Sequence, residues 1–377
     1  MIVDTDTSRV AALWADVVNL SSRVSVLEAL RPVADDVVTV SVIIPTHNSS
    51  AYLEETMRSI ELQHLPHPNV RLEVSIYDDG STDDTFALCE RIRVGWTAGR
   101  FVLSGSPECR GAGYARTAAV RQCHGDFLMF NDSDDVSHPL RLKYQIETWR
   151  SRGMDETLVG SYFSRDPPDA TRHYADFLNS LSPRDLVLKS FREITMIQPT
   201  WFMSRRLLDR VGGYPEGVLA EDLEVFHRCL DVPGMALLPS ATLSLPLVMY
   251  RHRPGSNVTS KTPRRVLLRA KLRALERRVL SKWGKFSVWG AGRDGHAFFQ
   301  EMAPEYRSNV RQFADVDPCK IRTGFHDSGF IIPVVHVSQI TAPFVVCVAM
   351  GRTNGELEAN VSSHTNLTEG VDYWYFN

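Results

Sequence analysis

The densest chemistry in this 377-residue chain is Asp132-Ser133-Asp134-Asp135. Three carboxylates within four residues repel one another, and ionising all of them is costly unless a cation is near. The residues before them, Gly125-Asp126-Phe127-Leu128-Met129, read as a buried strand. Those after them, Val136-Ser137-His138-Pro139, are expected as a turn, because proline cannot continue a ladder. An Asp-x-Asp pair at a strand end can present hard oxygens to a divalent ion that also grips a diphosphate. Standing alone, the same residues would be an acidic turn capping the helix expected from Pro139, so their neighbours in the chain decide between the two.

Those neighbours form an alternating pattern. Val38–Ile44 is β-branched and stops at Pro45, and residues 52–62 are helical. Residues 72–77 alternate as a strand and end in Asp78-Asp79-Gly80-Ser81-Thr82-Asp83-Asp84-Thr85, a turn that caps a helix over 86–93. A short strand at 101–103 and a helix over 114–123 lead into the strand before the aspartates. Strands alternating with helices across 38–135 predict a mostly parallel, doubly wound α/β sheet. Such sheets bind ligands at the carboxyl ends of their strands. Pro45-Thr46-His47-Asn48, Asp78-Asp79-Gly80-Ser81 and Asp132-Ser133-Asp134 all fall at such ends.

The order and spacing of these three segments resemble the family 2 inverting glycosyltransferases of the GT-A fold. Gly113-Tyr114-Ala115-Arg116 is similar to the family's donor-site segment, and Ala220-Glu221-Asp222-Leu223 to its acceptor-side Glu-Asp motif. The resemblance covers roughly 38–258 and implies a nucleotide-sugar donor. It implies that Pro45, Thr46, His47, Asn48, Asp78, Asp79, Arg116, Asp132 and Ser133 border that donor. Asp79, with Asp78, would accept from the uracil N–H, and Arg116 would face the nucleotide. A divalent ion, Mn2+ or Mg2+, would be held by Asp134, with Asp132 and His252 as further ligands. Asp222 would be the general base on the face opposite the leaving group, and Glu221 would orient its loop.

A narrower likeness, carried by segments such as 106–115, 165–168, 199–205 and 286–292, is to the queuosine-tRNA galactosyltransferases. It implies transfer of galactose from UDP-galactose to the cyclopentene-diol of queuosine in tRNA. The alternative is a UDP-sugar transferase, for instance of N-acetylglucosamine, acting on a glycan or lipid. A non-catalytic nucleic-acid or dinucleotide-binding module would leave the aspartates and Asp222 without a role.

Composition sets the bounds. Hydrophobic residues are 43% and charged residues 23%, enough for a sizeable core. A net charge of −3 offers no global field for nucleic acid, so such a partner needs a local patch. Residues 261–282 supply one: nine cations and a single acid, Glu276. Leu268, Leu272, Leu275 and Val279 form its apolar stripe, and Arg265, Arg269, Arg273 and Arg277 an i,i+4 stripe expected to face outward toward tRNA. Six scattered cysteines without C-x-x-C spacing argue against a zinc site or a disulfide framework, and the absence of a membrane-length apolar run predicts a cytoplasmic protein.

The expected organisation is an N-terminal helical extension (1–37, with the helix near 8–30), a GT-A domain (38–258), a basic helical linker (259–284) and a small α/β Rossmann-like half-domain (285–377). In the last, Gly290-Ala291-Gly292-Arg293-Asp294-Gly295 opens a helix and Asp315 follows twenty residues after Gly295, a passable dinucleotide fingerprint. With about ninety residues left, tight glycine packing without a nicotinamide cofactor is the expectation.

Overall fold

The computed structural model describes residues 37–152, 155–239, 245–253, 262–348, 356–362 and 366–376. The N-terminal helix expected near 8–30 and the first residues of the expected basic linker, 259–261, lie outside them.

β1 (Val38–Thr46) is the centre of the first sheet, pairing in parallel with β2 (Val70–Asp79) on one side and β4 (Phe127–Phe130) on the other. Its side chains explain the unbroken apolar run. Val40, Val42 and Ile44 pack against Leu53, Met57 and Ile60 of helix α1 (Leu53–Glu61) and Leu88 and Cys89 of α2 (Thr85–Gly95). Ile43 faces the opposite way, into the core shared with Ala115 and Ala119 of α3 (Ala112–Gln122). A strand covered on both faces has no polar side to alternate with.

β3 (Arg100–Ser106) flanks β2 in parallel. Beyond β4 the sheet continues through β8 (Phe202–Ser204), β6 (Thr157–Gly160) and β9 (Ala236–Pro239), in the order β3-β2-β1-β4-β8-β6-β9. β8 runs antiparallel to both its neighbours; the other pairs are parallel.

Residues 136–139 depart from the expected turn. Val136–Ser137 is a two-residue strand, β5, antiparallel to β10 (Pro246–Arg251), which pairs in parallel with β7 (Tyr162–Asp166). Pro139 keeps β5 short, and α4 (Arg141–Arg152) begins two residues later. The consequence reaches the aspartates, since β10 delivers residues 250–253 to them.

The chain then forms α5 (Glu221–Leu230) and the basic helix α6 (Arg264–Arg278). Leu272, Leu275 and Val279 of the apolar stripe enter the second core, with Phe286, Val288, Phe298 and Phe313, as the periodicity predicts. That core belongs to a second, all-parallel sheet. Its strands are β11 (Phe286–Trp289), β12 (Val310–Asp315), β15 (Val334–His336), β16 (Phe344–Val346) and β17 (Tyr373–Tyr375), in the order β15-β12-β11-β16-β17. A small hairpin, β13 (Phe325–Asp327) with β14 (Phe330–Ile332), stands apart from it.

The expected outward arginine stripe is only partly free. Arg265 and Arg269 both pair with Glu301, and Arg277 pairs with Asp231 at 2.9 Å. Lys271 is half-buried and donates to the Arg192 carbonyl at 3.0 Å. Arg273 makes no ion pair among the described residues. A helix wedged between two halves meets acids from both, and a pattern read along one helix cannot include them.

Candidate active site

The three strand-end segments meet at one edge of the first sheet. Thr46 and Asp78 are register partners at the ends of β1 and β2, and the Thr46 hydroxyl donates to Asp78 Oδ1 at 3.0 Å. Ser81 donates to the same carboxylate through its hydroxyl (2.5 Å) and its N–H (3.2 Å), so Asp78 organises the turn. Asp79 accepts the N–H groups of Arg110 (2.9 Å) and Gly111 (2.7 Å), which ties β2 to the loop before α3. His47 is exposed, and its Nδ1 lies 2.8 Å from the Asp79 carbonyl oxygen. Asn48 has a left-handed backbone (φ 49°) and accepts from Thr82 N–H at 2.8 Å. Pro45 is partly covered, and Ser133 is buried with its hydroxyl 2.7 Å from that of Ser49.

Asn131 hooks the loop after β4 onto the sheet: its N–H donates to the Ile43 carbonyl at 3.1 Å. Buried Arg141 holds the loop from below, donating to the Phe130 carbonyl (2.8 Å), Asn131 Oδ1 and the Ser137 hydroxyl. Burial lowers its guanidinium to about 9, with Asp135 and Asp132 pulling the other way. The three carboxylates then separate. Asp132 turns to Arg116 (2.9 Å). Asp134 meets Arg253 (2.6 Å). Asp135 is fully buried and accepts the Arg251 N–H (2.9 Å), while its Oδ2 has no hydrogen-bond partner. Burial pushes the carboxyls of Asp134 and Asp135 above the ordinary range; Asp132 adds repulsion to Asp134, and Asp134 then Asp132 add it to Asp135.

Arg116 does not face open solvent. It is buried, with Nη2 on Asp132 and Nη1 on Glu221 at 2.6 Å. Burial opposes its charge, but Asp132 and Glu221 more than compensate, and it is held firmly charged. This bridge joins the strand-end aspartates to the N-terminus of α5, where Asp222 follows Glu221 directly. Asp222 is half-buried and accepts the Leu223 N–H at 2.8 Å. Burial raises its carboxyl; Arg116 and the Leu223 N–H draw it part of the way back, and Asp132 raises it further. A carboxylate with a raised pKa is a better proton acceptor.

Sequence reasoning placed residues 250–253 beside the donor site and gave His252 a role, but none to the arginines on either side of it. Arg251 donates to Glu55 (2.6 Å) and to the Asp134 carbonyl (3.0 Å), and pairs with Asp166 (3.1 Å). Arg251 and Arg253 both lie over the Tyr52 ring, at 5.0 and 5.1 Å. The available signal was two arginines at i,i+2 leaving a strand, in a fold whose acidic turn needs positive charge.

The ligand set expected for a divalent ion fits in part. Asp134 offers a half-buried carboxylate, the donor type such an ion prefers, and it is paired with Arg253. Asp132 is engaged by Arg116, and His252 directs Nδ1 to Arg165 Nη2 at 3.3 Å. Among the described residues no three His, Cys, Asp or Glu side chains are grouped to hold a metal. The trio Asp132, Asp134 and His252 is not grouped, and each member is engaged by an arginine: Asp132 by Arg116, Asp134 by Arg253 and His252 by Arg165.

Residues 41–212 match the family described as Glycosyl transferase family 2, and this segment carries a domain of that family in its GT-A, mostly parallel α/β form. The poly(ribitol-phosphate) beta-N-acetylglucosaminyltransferase TarS of Staphylococcus aureus is 36% identical over 103 residues, 27% of this chain and 17% of that protein. The glycosyltransferase GlyG of Streptococcus pneumoniae is 23% identical over 227 residues, 58% of this chain and 72% of that protein. Among solved structures, S. aureus TarS 1–349 with UDP-GlcNAc aligns at a TM-score of 0.48 and 23% identity, covering 63% of this chain and 66% of that one. The mannosyltransferase PcManGT from Pyrobaculum calidifontis, with GDP-Man and Mn2+, aligns at 0.49 and 20%, covering 72% and 74%. No helix among the described residues is long and apolar enough to cross a membrane.

Proposed function

We propose that this protein transfers a sugar from a nucleoside-diphosphate donor to an acceptor hydroxyl with inversion, and that Asp222 is the base. The observation that carries the reading is the Asp132–Arg116–Glu221 bridge, which sets the donor-side aspartates and Asp222 at one sheet edge. In this reading Asp222 takes the proton of the acceptor hydroxyl as its oxygen bonds to the anomeric carbon. The bond from that carbon to the diphosphate oxygen breaks, and the nucleoside diphosphate leaves. A divalent ion held with Asp134 would offset the charge developing on that leaving group. Thr46 and the Asp78–Ser81 turn shape the wall beside the nucleobase, and Asp79 fixes the loop that begins α3. Arg251 and Arg253 hold Asp134 and Asp135 against their mutual repulsion.

The finer reading takes UDP-galactose as donor and the cyclopentene-diol of queuosine in tRNA as acceptor. Its support is the resemblance spread over segments from 106 to 348, together with α6. Arg265, Arg269 and Arg277 keep 68, 49 and 45% of their side chains exposed despite their ion pairs. Their acids are more covered, Glu301 at 7% and Asp231 at 28%, so the guanidinium groups keep these pairs while their open faces reach toward phosphates.

The test is a donor panel of UDP-galactose, UDP-glucose, UDP-GlcNAc and GDP-mannose with Mn2+ or Mg2+. Each donor is offered with queuosine-bearing and queuosine-free tRNA, and digested nucleosides are weighed by mass spectrometry. A one-hexose gain on queuosine alone is expected. Equal labelling of both tRNAs, or none with any donor, refutes the acceptor; donor hydrolysis that survives Asp222→Asn undiminished refutes the base.

A further inference from the structure

Two arginines reach Asp134, and they hold it in different ways. Arg251 meets its backbone: Nε donates to the Asp134 carbonyl at 3.0 Å, and the guanidinium is anchored by Glu55 (2.6 Å) and Asp166 (3.1 Å). The Arg251 N–H donates to Asp135 Oδ1 (2.9 Å), and the next N–H, of His252, to the Asp166 carbonyl (2.8 Å). The chain leaving β10 is thus pinned as far as His252. Arg253 follows and meets the Asp134 carboxylate itself, with Nε 2.6 Å from Oδ2. That contact is an ion pair and not a hydrogen bond. The Arg253 side chain is 25% exposed and that of Asp134 14%. A long side chain on a pinned backbone can change partner while the main chain stays in place.

Each member of this pair has a better partner in the proposed reaction. A carboxylate oxygen suits a divalent ion, and the guanidinium fork suits phosphate oxygens. An ion on Asp134 with Arg253 still in contact sets like charges side by side, which costs Coulomb energy. A diphosphate relieves that cost, because its oxygens can take the ion and the guanidinium together.

We infer that Arg253 is an exchangeable counter-ion of the donor site, which yields the Asp134 carboxylate to a divalent ion and passes to the diphosphate of the donor. Ion and nucleotide then bind cooperatively, and the ion alone binds weakly. The inference rests on the reading of Asp134 as the ion's ligand. Tyr52 supplies the pivot: its ring lies 5.1 Å from the Arg253 guanidinium and 5.0 Å from that of Arg251. An aromatic face attracts a cation without fixing its hydrogen-bond partners. The nearby acids are already engaged, Asp132 by Arg116 and Asp135, Glu55 and Asp166 by Arg251. This leaves the diphosphate as the anion for the displaced guanidinium.

The experiment titrates Mn2+ into the full chain with and without UDP. Electron paramagnetic resonance reads free Mn2+, calorimetry reads UDP affinity, and circular dichroism checks the fold of each variant. In Arg253→Met, Mn2+ alone should bind about tenfold tighter than in the parent, a gain between the worth of an exposed and a buried ion pair. UDP at saturating Mn2+ should bind about tenfold weaker in the same variant, the loss of one charge-assisted contact. A merely structural role would weaken both. Adding Asp134→Ala to Arg253→Met should remove the gain in Mn2+ affinity. Arg253→Lys keeps the charge and loses the fork, so Mn2+ alone should bind as in the parent and UDP less tightly. Mn2+ no tighter in Arg253→Met, UDP no weaker there, or Mn2+ tightened in Arg253→Lys would each overturn the exchange and leave Asp134 as the ligand. Mn2+ binding that Asp134→Ala leaves unchanged would overturn the ligand reading and the exchange with it.

Discussion

Arg116→Met is the most informative perturbation of the candidate active site. The guanidinium is 9% exposed and serves Asp132 (27%) and Glu221 (8%). Removing one partner of a buried pair leaves an uncompensated charge, which costs about 3–5 kcal/mol. Asp132 retains some water, so the lower part of that range, about 3–4 kcal/mol, is expected at neutral pH. The pH dependence has a definite sign. Burial already raises the Glu221 carboxyl above its ordinary value against the pull of Arg116, and without Arg116 it rises further. A carboxyl whose folded pKa exceeds its unfolded one binds protons preferentially in the folded state. Stability then falls as pH rises from the unfolded value, about 4.3, toward the folded one. The loss in the variant is thus largest at neutral pH and shrinks toward mildly acid pH, where Glu221 takes up a proton. Urea unfolding of parent and variant at both pH values, followed by circular dichroism and tryptophan fluorescence, measures it. Arg116→Met with Glu221→Gln should recover part of the loss. A cost below about 1 kcal/mol, the size of an exposed pair, or a cost that grows toward acid pH would refute the buried bridge.

Asp222→Asn should leave UDP binding intact and reduce turnover by roughly 10²–10⁴, as judged by single-turnover kinetics. In the parent, kcat/KM should fall as pH drops through the Asp222 pKa, and burial sets that limb above the ordinary aspartate range; a flat profile down to that range would remove Asp222 as base. Asp134→Ala should abolish the dependence of UDP affinity on Mn2+, read by titration at fixed ionic strength, and unchanged dependence would take Asp134 out of the metal site. Arg265→Ala with Arg269→Ala and Arg273→Ala should weaken tRNA binding and lower its log–log salt slope by up to about 3, near 0.9 per phosphate contact. Alanine is preferred to glutamate there because Glu301 already pairs with two of these arginines. Equal slopes would return α6 to a purely structural role.

Much was decided along the chain itself. The apolar runs of β1 and β4 and the acids at the ends of β2 and β4 follow from local rules of periodicity, turn chemistry and charge, while β1 runs through Pro45 to Thr46. They suffice for a parallel α/β sheet with three loops at one edge, and the apolar stripe of α6 docks as its spacing requires. The partner of each charge was a different matter. Arg116 carries no mark in the sequence that it bridges Asp132 and Glu221, 16 and 105 residues away. The same holds for Arg253 on Asp134, and for Glu301 drawing in two arginines of α6. Coulomb attraction and desolvation act through space, and only the folded chain says which charges are close and which are dry. Val136–Ser137 became a strand because β10 arrived beside it. The order of the second sheet depended on β16 returning to the far side of β11 from β12. Local chemistry determined what each segment can do; the long-range contacts determined which of those possibilities face a ligand.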